Sequence, residues 1–536
     1  METEYSNNSG TAPSLLASAR TMSISELRWK FFQLVNLWEP DARKKTLLAL
    51  ALTCESFSGP ALDLLWQELD ELGPLIRCLP SSLWKLDEQE LEFQRVMTFD
   101  DWSIFCKYNH RVRSLHMKYM IYRVDNEVWG TLYCPPFSLP LLPNLTSLAW
   151  YAPREAFPCI RSFVTQKLTT LKINTYYPGL KLGPSVQSIL SASRRIYRVA
   201  VRSHLISVRT GGLSDAAILH LSNLHSLREL YLELHSTPIT ADTQKLLQHH
   251  AFSALHKLDV TCDTLAPLDA FFKTLSIAPK ILFIMIVFID EDDSALPALI
   301  SRISNACAYN ALERLRIVNN IDAESDTSIR AAVFQPLCAF CNLRELYFGV
   351  ENDVQLDDAT LLQMAKAWPL LEELVIRGKY SASSPHNVTL NAFVSLLQHC
   401  PCLTSIGITL DWSAVDRCYI SPRIPYQGFA HKALSHADFG SSRIRYATGV
   451  AAFISAIAPK LEGIVGWDYD CHCVFEEYDK YSARWKAVHR MVKAFRKVRE
   501  QERGMLSVED VVVSDVSGEE ESEEYGGSDG GYGLDF

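Results

Sequence analysis

The chain has 536 residues, 48% of them hydrophobic and 21% charged, enough to bury a large core and more than one small domain usually holds. Its formal net charge is −10, and residues 507–536 alone carry ten acids and no Lys or Arg, so −10 minus −10 leaves residues 1–506 neutral. A neutral body argues against a nucleic-acid partner, which needs a basic footprint. The most apolar run, Ile281 to Ile289, is too short to cross a bilayer, which takes about 20 residues, so no membrane partner is expected either.

Residues 1–20 are polar, lack the basic start and apolar run of a secretory signal, and are expected to form a disordered N-terminal segment. Fourteen cysteines are scattered along the chain. Without a secretory signal they read as small buried hydrophobes in a reducing compartment, cytoplasmic or nuclear.

Residues 21–69 read as a small helical module. Ser23 to Glu26 spells S-x-x-E, a capping box, with Met22 and Leu27 placed as a hydrophobic staple. The helix that follows sets Leu27, Phe31, Phe32 and Val35 near one face. A second helix is expected from about Arg43 to Cys54. Ser58-Gly59-Pro60 is expected to break the chain and open a third helix at Ala61 to Trp66, with Pro60 near the first helical position. Three short helices make a very small core, so the module should lean on a partner or on the rest of the chain. Residues 70–104 are expected to be a helical linker.

From residue 105 to 475 one pattern recurs: apolar, two variable residues, apolar, one variable residue, apolar. The clearest copies are Leu227-Arg-Glu-Leu230-Tyr-Leu232, Leu343-Arg-Glu-Leu346-Tyr-Phe348 and Leu371-Glu-Glu-Leu374-Val-Ile376. Further copies start at Val112, Leu145, Leu168, Ile196, Leu255, Ile281, Leu312, Leu403 and Leu461, and a degenerate one starts at Leu434. Successive starts lie 23 to 33 residues apart. The last two apolar positions alternate as in a strand, so both point to one face. The segments between often show helical spacing, as in Ala359 to Trp368 and Leu390 to His399. A short strand plus a helical return per step predicts an α/β leucine-rich-repeat solenoid, with short parallel strands stacked side by side. Asn319, Asn320 and Asn352 are candidates for the asparagine expected after the strand, which most copies lack.

The segment Thr46 to Trp66, TLLALALTCESFSGPALDLLW, resembles the F-box of fungal, basidiomycete-type F-box proteins. In that family a short apolar helix with Ile-Pro-Glu-Leu opens the box. A Leu-rich helix with a Cys follows, then a Ser-Phe pair and a Leu-Trp. This chain offers Ile24, Glu26 and Leu27, then Leu47, Leu48, Ala51 and Cys54, then Phe57, Ala61, Leu65 and Trp66. Asp100-Asp101-Trp102 to Arg113-Ser114-Leu115 also resembles that family's lead-in to its repeats. Ser25 stands where the family usually has Pro, and Arg28 where it usually has an apolar residue. The resemblance implies a non-catalytic adaptor of a Skp-cullin-F-box ubiquitin ligase. The box would dock on the Skp-type adaptor through Ile24, Leu27, Phe31, Leu47, Leu48, Ala51, Cys54, Phe57, Leu65 and Trp66, and the repeats would hold a substrate protein. A repeat scaffold with a degenerate box is the alternative, and plain helical core is the other reading of Leu47, Leu48, Leu65 and Trp66.

No motif points to catalysis. Cys338-x-x-Cys341, Cys400-x-Cys402 and Cys471-His472-Cys473 are lone pairs, whereas a structural zinc site wants four ligands, so packing is the expected role and no cofactor or metal is expected. Phosphate-loop, nucleophile-elbow and zincin motifs are absent from the sequence. His249-His250 reads as a solvated or capping pair. Asn144-Leu-Thr146 and Asn387-Val-Thr389 fit the glycosylation pattern and should stay unused in a reducing compartment.

The variable residues beside the buried ones should line the inner face of the arc. In order they are Arg198 and Arg202, Glu229, Tyr231 and Glu233, Lys257 and Asp259, Phe283 and Met285, Arg314 and Arg316, Glu345 and Tyr347, then Glu373 and Arg377. Tyr231, Phe283, Met285, Arg314, Arg316, Tyr347 and Arg377 are the candidate substrate contacts, since aromatics and Arg dominate binding hot spots. Phe283, Met285 and Val287 are apolar where water is expected. Either they form a contact patch or the strand is shifted by one residue, which would expose Ile284 and Ile286 instead.

Residues 476–504 are expected to form a basic amphipathic helix capping the last repeat. Tyr481, Trp485, Val488, Val492, Phe495 and Val498 recur at steps of three and four, and Lys480 to Arg503 carries nine Lys or Arg against two Glu. A membrane-surface or calmodulin-target helix is the alternative. Residues 505–536 are Gly- and Glu-rich and should be disordered. Their acids could fold back on the basic helix, and Ser514, Ser517 and Ser522 among them could be phosphorylated.

Overall fold

A computed structural model describes residues 24–87, 90–117, 123–151, 159–160, 162–173, 205–213, 215–234, 240–247, 251–273, 275–287, 295–319, 328–350, 352–378, 387–423, 425–467 and 476–502. The expected disordered segments at 1–20 and 505–536 lie outside these residues. So do Met22, Ser23, Arg198, Arg202, His249, His250, Asn320 and the Cys471-His472-Cys473 run.

Among the described residues three helices come first: α1 (Ser25–Asn36), α2 (Pro40–Ala51) and α3 (Glu55–Gln67). Their boundaries correct the sequence reading at each step. Ile24, not Ser23, is the N-cap of α1, and among the described residues no side chain caps that end. The Glu26 carboxylate instead accepts a hydrogen bond from the Ser25 hydroxyl at 3.0 Å. Helix α2 starts and stops three residues earlier than expected, because Pro40 sits at its first position with φ already preset. Cys54 is then the N-cap of α3, and α3 runs unbroken through Ser58-Gly59-Pro60. A proline near a helix start forfeits one backbone hydrogen bond. Burial of Ala61, Leu64 and Trp66 further along α3 outweighs that loss.

Residues 70–104 are not a purely helical linker. After a five-residue helix at Gly73–Arg77 they form an antiparallel hairpin, Trp84–Asp87 with Glu90–Phe93, before the helix Phe99–Asn109 begins. That helix opens on a capping box: Asp101 N–H donates to the Thr98 hydroxyl at 3.3 Å, and Thr98 N–H donates to the Asp101 carboxylate at 2.8 Å.

Among the described residues the body is a 14-stranded sheet whose strands follow one another in chain order, each parallel to the next. The strands are β1 (Glu68–Leu69), β2 (Ser114–Met117), β3 (Ser147–Trp150), β4 (Thr170–Ile173), β5 (Ser207–Gly212), β6 (Glu229–Leu234) and β7 (Lys257–Cys262), then β8 (Ile281–Ile286), β9 (Arg314–Asn319), β10 (Glu345–Gly349), β11 (Glu373–Arg377), β12 (Ser405–Gly407), β13 (His436–Asp438) and β14 (Gly463–Val465). Helices return the chain between many of them, including Leu265–Phe272, Asp358–Ala367 and Leu390–His399. This is a solenoid-like α/β fold. Each strand is too short to bury its apolar side alone, so the stack is held by neighbour against neighbour.

Twelve of the thirteen expected copies fall on strands of this sheet. The copy at Ile196 lies outside the described residues, and the strand between β4 and β6 is Ser207–Gly212, entered from the fully buried Leu205. Lys257 pairs with Ile281, so Pro279, not Ile281, occupies the place that Leu255 holds one step earlier. A proline there hid the true start. The degenerate copy at Leu434 is a true step, with Leu434, Ala437 and Phe439 all buried. Strand β1 was not expected, having only two residues.

Burial alternates along the central strands, so one face of the sheet meets the helices and the other stays open. Leu230, Leu258, Leu282, Leu315, Leu346 and Leu374 occupy one row of the covered face and are at most 1% exposed. Each such leucine contributes about 1.5–3 kcal/mol relative to an exposed one. One continuous hydrophobic core runs from Trp66 to Val492, and a second, small one lies inside the helical module.

The helix Glu476–Glu502 closes the far end. Trp485, Val488 and Val492 are buried, Tyr481 and Phe495 pack at the edge of the core, and Val498 is half exposed. The Trp485 ring stacks on Phe439 at 5.0 Å, and its N–H donates to the Ser442 carbonyl at 2.9 Å.

Candidate functional site

Two surfaces carry the exposed chemistry. The first is on the helical module. Helix α1 and the two residues after it hold Leu27, Trp29, Phe31, Phe32, Leu34, Val35, Leu37 and Trp38, more apolar side chains than one face accommodates. Phe32 and Val35 turn inward and meet Leu47, Ala61 and Leu64, with Phe32 edge-on to both Phe31 and Phe57 at 5.7 Å. Ile24, Leu27, Trp29, Leu34, Leu37 and Trp38 remain exposed, as do Leu48 on α2 and Leu52 just after it. Eight large apolar side chains are thus left exposed on so small a unit.

The ten expected adaptor contacts therefore divide. Ile24, Leu27, Leu48 and Cys54 are exposed, and Phe31, Ala51, Phe57 and Leu65 are half-buried. Leu47 is buried in the module core, and Trp66 in the core of the sheet, so neither offers a free face. Sequence reading missed Trp29, Leu34, Leu37, Trp38 and Leu52; the excess of apolar residues around α1 was the available signal. The exposed Cys54 Sγ lies 3.2 Å from the Ser56 hydroxyl, and that hydrogen bond holds its thiol below the usual range.

The module is fixed to the sheet. Helix α3 runs directly into β1, which pairs with β2. Arg111 forms an ion pair with Asp63 and donates to the Gly59 carbonyl at 3.2 Å, and Arg113 N–H donates to the Gln67 carbonyl at 2.9 Å. Arg43 reaches Glu68 at 3.8 Å.

The second surface is the open face of the sheet. Register brings Tyr231, Asp259, Phe283, Arg316 and Tyr347 into one row across five adjacent strands. At about 4.8 Å per strand the row spans about 19 Å. Arg314 lies in the row of Ile281 and Glu345, and Met285 and Arg377 in the row of Thr261 and Gly349. All seven expected contacts thus share one face. Leu282, Ile284 and Ile286 are buried, so the register places Phe283 and Met285, half-buried, on the open side, joined by Ile281.

The polar groups of this face hold one another. Arg209 and Lys257 lie over the Tyr231 ring at 4.9 and 4.7 Å, and Arg316 over Tyr347 at 4.7 Å. Glu345 meets Arg314 at 3.7 Å and Arg316 at 3.5 Å. Arg377 forms an ion pair with Asp438. Burial pushes the Asp259 carboxyl up to about 6, against the pull of Lys257 and Arg209. Burial, with Glu345 beside it, also raises Glu373, while Arg316, Arg314 and Arg377 oppose the shift.

Cys338 is half-buried, Cys400 is buried, and Cys341 and Cys402 are exposed. Among the described residues no group of three or more His, Cys, Asp or Glu is placed to hold a metal ion, and no helix is long and apolar enough to cross a membrane. Asn144 is engaged, donating to the His110 carbonyl at 2.7 Å and accepting from Lys167 at 2.5 Å. A scan against family models finds no match for this chain, and a search of curated proteins finds no significant similarity.

Proposed function

We propose that this chain is the substrate-recognition adaptor of a Skp-cullin-F-box type ubiquitin ligase, with the helical module as its F-box and the sheet as a leucine-rich-repeat solenoid. The observation that carries the reading is the set of exposed apolar side chains on α1 and α2, on a module fixed to the sheet through α3 and β1. In this reading Ile24, Leu27, Leu48 and Leu52 meet the Skp-type adaptor, and the row from Tyr231 to Tyr347 meets a substrate protein. The protein itself performs no chemistry: it holds the substrate while the ligase partners transfer ubiquitin. The open face suits this role, because aromatic rings held by cations present rigid contact area at little entropic cost.

Co-purification of the full chain with a Skp-type adaptor tests the proposal. Wild type should bind, and Leu48→Ala/Leu52→Ala should bind at least about tenfold more weakly, since hot-spot truncations cost 2 kcal/mol or more. No binding by wild type would overturn it. The alternative is a repeat scaffold with a degenerate box, and Ser25 favours it, because its hydroxyl engages Glu26 in the first turn of the helix. Weak wild-type binding restored by Ser25→Pro would assign the chain to that alternative.

A further inference from the structure

The helix Glu476–Glu502 does more than seal the sheet. Its outer face presents Lys486, Arg490, Lys493 and Lys497, all exposed. Steps of four, three and four put them on one stripe, about 16 Å long at 1.5 Å per residue. Other cations of this helix are engaged. Arg484 donates to the Ile444 carbonyl at 2.7 Å, Arg496 pairs with Glu500 at 2.9 Å and Glu462 at 3.6 Å, and Arg499 donates to the Ser455 hydroxyl. The four stripe residues have no carboxylate partner among the described residues.

Lys486 and Arg490 also line an open groove of about 460 Å³ with Ile464, Ala483 and His489. No carboxylate is among these five residues. The Ile464 N–H donates to His489 Nδ1 at 3.2 Å, so a neutral His489 ring carries its proton on Nε2. Burial, then Lys493, lowers the His489 pKa and favours that neutral ring. The groove therefore offers an ammonium, a guanidinium and a ring N–H, which is a lining for an anion.

We propose that the acidic segment 507–536 of the same chain binds this stripe and groove and masks them from other polyanions. Charge complementarity carries the assignment. The segment holds ten acids and no Lys or Arg, five of the acids falling within Glu519 to Glu524, while residues 1–506 sum to zero. Reach permits it: 519 minus 502 is 17 residues, about 56 Å extended at 3.3 Å each, against about 24 Å back along the helix to Lys486. Tethering keeps the acids at millimolar effective concentration, so weak individual pairs suffice. Phosphorylation of Ser514, Ser517 or Ser522 would add charge and tighten the contact.

Amine-reactive footprinting of the full chain at low salt tests this, against a full-chain variant with Glu519, Glu520, Glu521, Glu523 and Glu524 all changed to Gln. Lys486, Lys493 and Lys497 should label at least about threefold more slowly in wild type, as expected for a tethered occupant. The difference should vanish at 1 M salt, where the screening length is about 3 Å. Lys245, 73% exposed on another helix, should label equally in both. Equal labelling of the three lysines at low salt would overturn the proposal. Protection that appears only on adding single-stranded RNA or anionic vesicles would overturn it too, by assigning the stripe to an external polyanion.

Discussion

Trp66 lies against Tyr108, ring centroids 4.8 Å apart and planes inclined at 32°, so the last turn of the helical module is anchored in the core of the sheet. Leu65, beside it, touches both cores. A residue that resembles a docking contact in sequence is here the joint between two parts of the fold.

Trp66→Ala should therefore cost about 3–5 kcal/mol of stability, the usual loss for a buried aromatic. Leu48→Ala, at a side chain 51% exposed, should cost under about 0.5 kcal/mol. Denaturant unfolding of the two variants checks the contrast, and an equal loss for both would contradict the burial assigned to Trp66.

Asp101 is the second joint. Its side chain is 3% exposed and accepts from Arg95 at 2.5 and 2.9 Å and from Thr98 at 2.8 Å. The Arg95 hydrogen bonds, helped by those from Thr98, hold its carboxyl well below the usual carboxylate range. A lowered folded pKa gives stability that is present above the ordinary value of 3.8 and lost as pH falls below it. Asp101→Asn should cost about 2–4 kcal/mol near neutral pH, with a smaller deficit at pH 2–3, measured by unfolding at both pH values.

Asp259 behaves in the opposite sense. Its folded pKa of about 6 lies above the ordinary 3.8, so the folded state binds the proton more tightly. Its contribution to stability falls as pH rises from about 4 to 6, and the full penalty applies above 6. Asp259→Asn should gain roughly 1–3 kcal/mol at pH 7 and nothing near pH 3.5. Stability curves of wild type and variant that run parallel between pH 4 and 6 would refute the shift.

At the far end, Gly466 leaves room for the Trp485 ring, because an added Cβ would lie 2.7 Å from two of its atoms. Gly466→Ala should lift the capping helix at a cost of about 1–3 kcal/mol. Hydrogen exchange over residues 476–502 should quicken, while exchange in β6 to β11 stays as in wild type.

Thiol chemistry separates the cysteines. Burial pushes Cys262, Cys307 and Cys400 up to about 12, which keeps them protonated and unreactive. Exposed Cys54, with its lowered pKa, should take a maleimide first at pH 7, and mass spectrometry of a brief reaction reads the order. If the proposed adaptor covers the module, its presence should slow Cys54 and leave Cys402 unchanged.

The repeat was legible in the sequence because strand burial is a local rule. Leu343, Leu346 and Phe348 must face one way whatever their neighbours do, and the period shows it. The open-face row was legible for the same reason: once Leu315 and Ile317 are inside, Arg314 and Arg316 are not. The capping helix carried its apolar stripe in plain view. Partnership across the chain was not legible. Trp66 is buried because α3 runs into β1 and Tyr108, more than 40 residues away, lies against it, whereas Leu47 is covered within the module by residues such as Phe32 and Ala61 and Leu48 is not. Pro279 and Leu205 became repeat starts only through pairing with the strands beside them. The sequence determined the period and the faces, because each follows from a single strand's alternation. The tertiary structure decided which apolar residues remain exposed, because burial is a property of the surface that arrives to cover them.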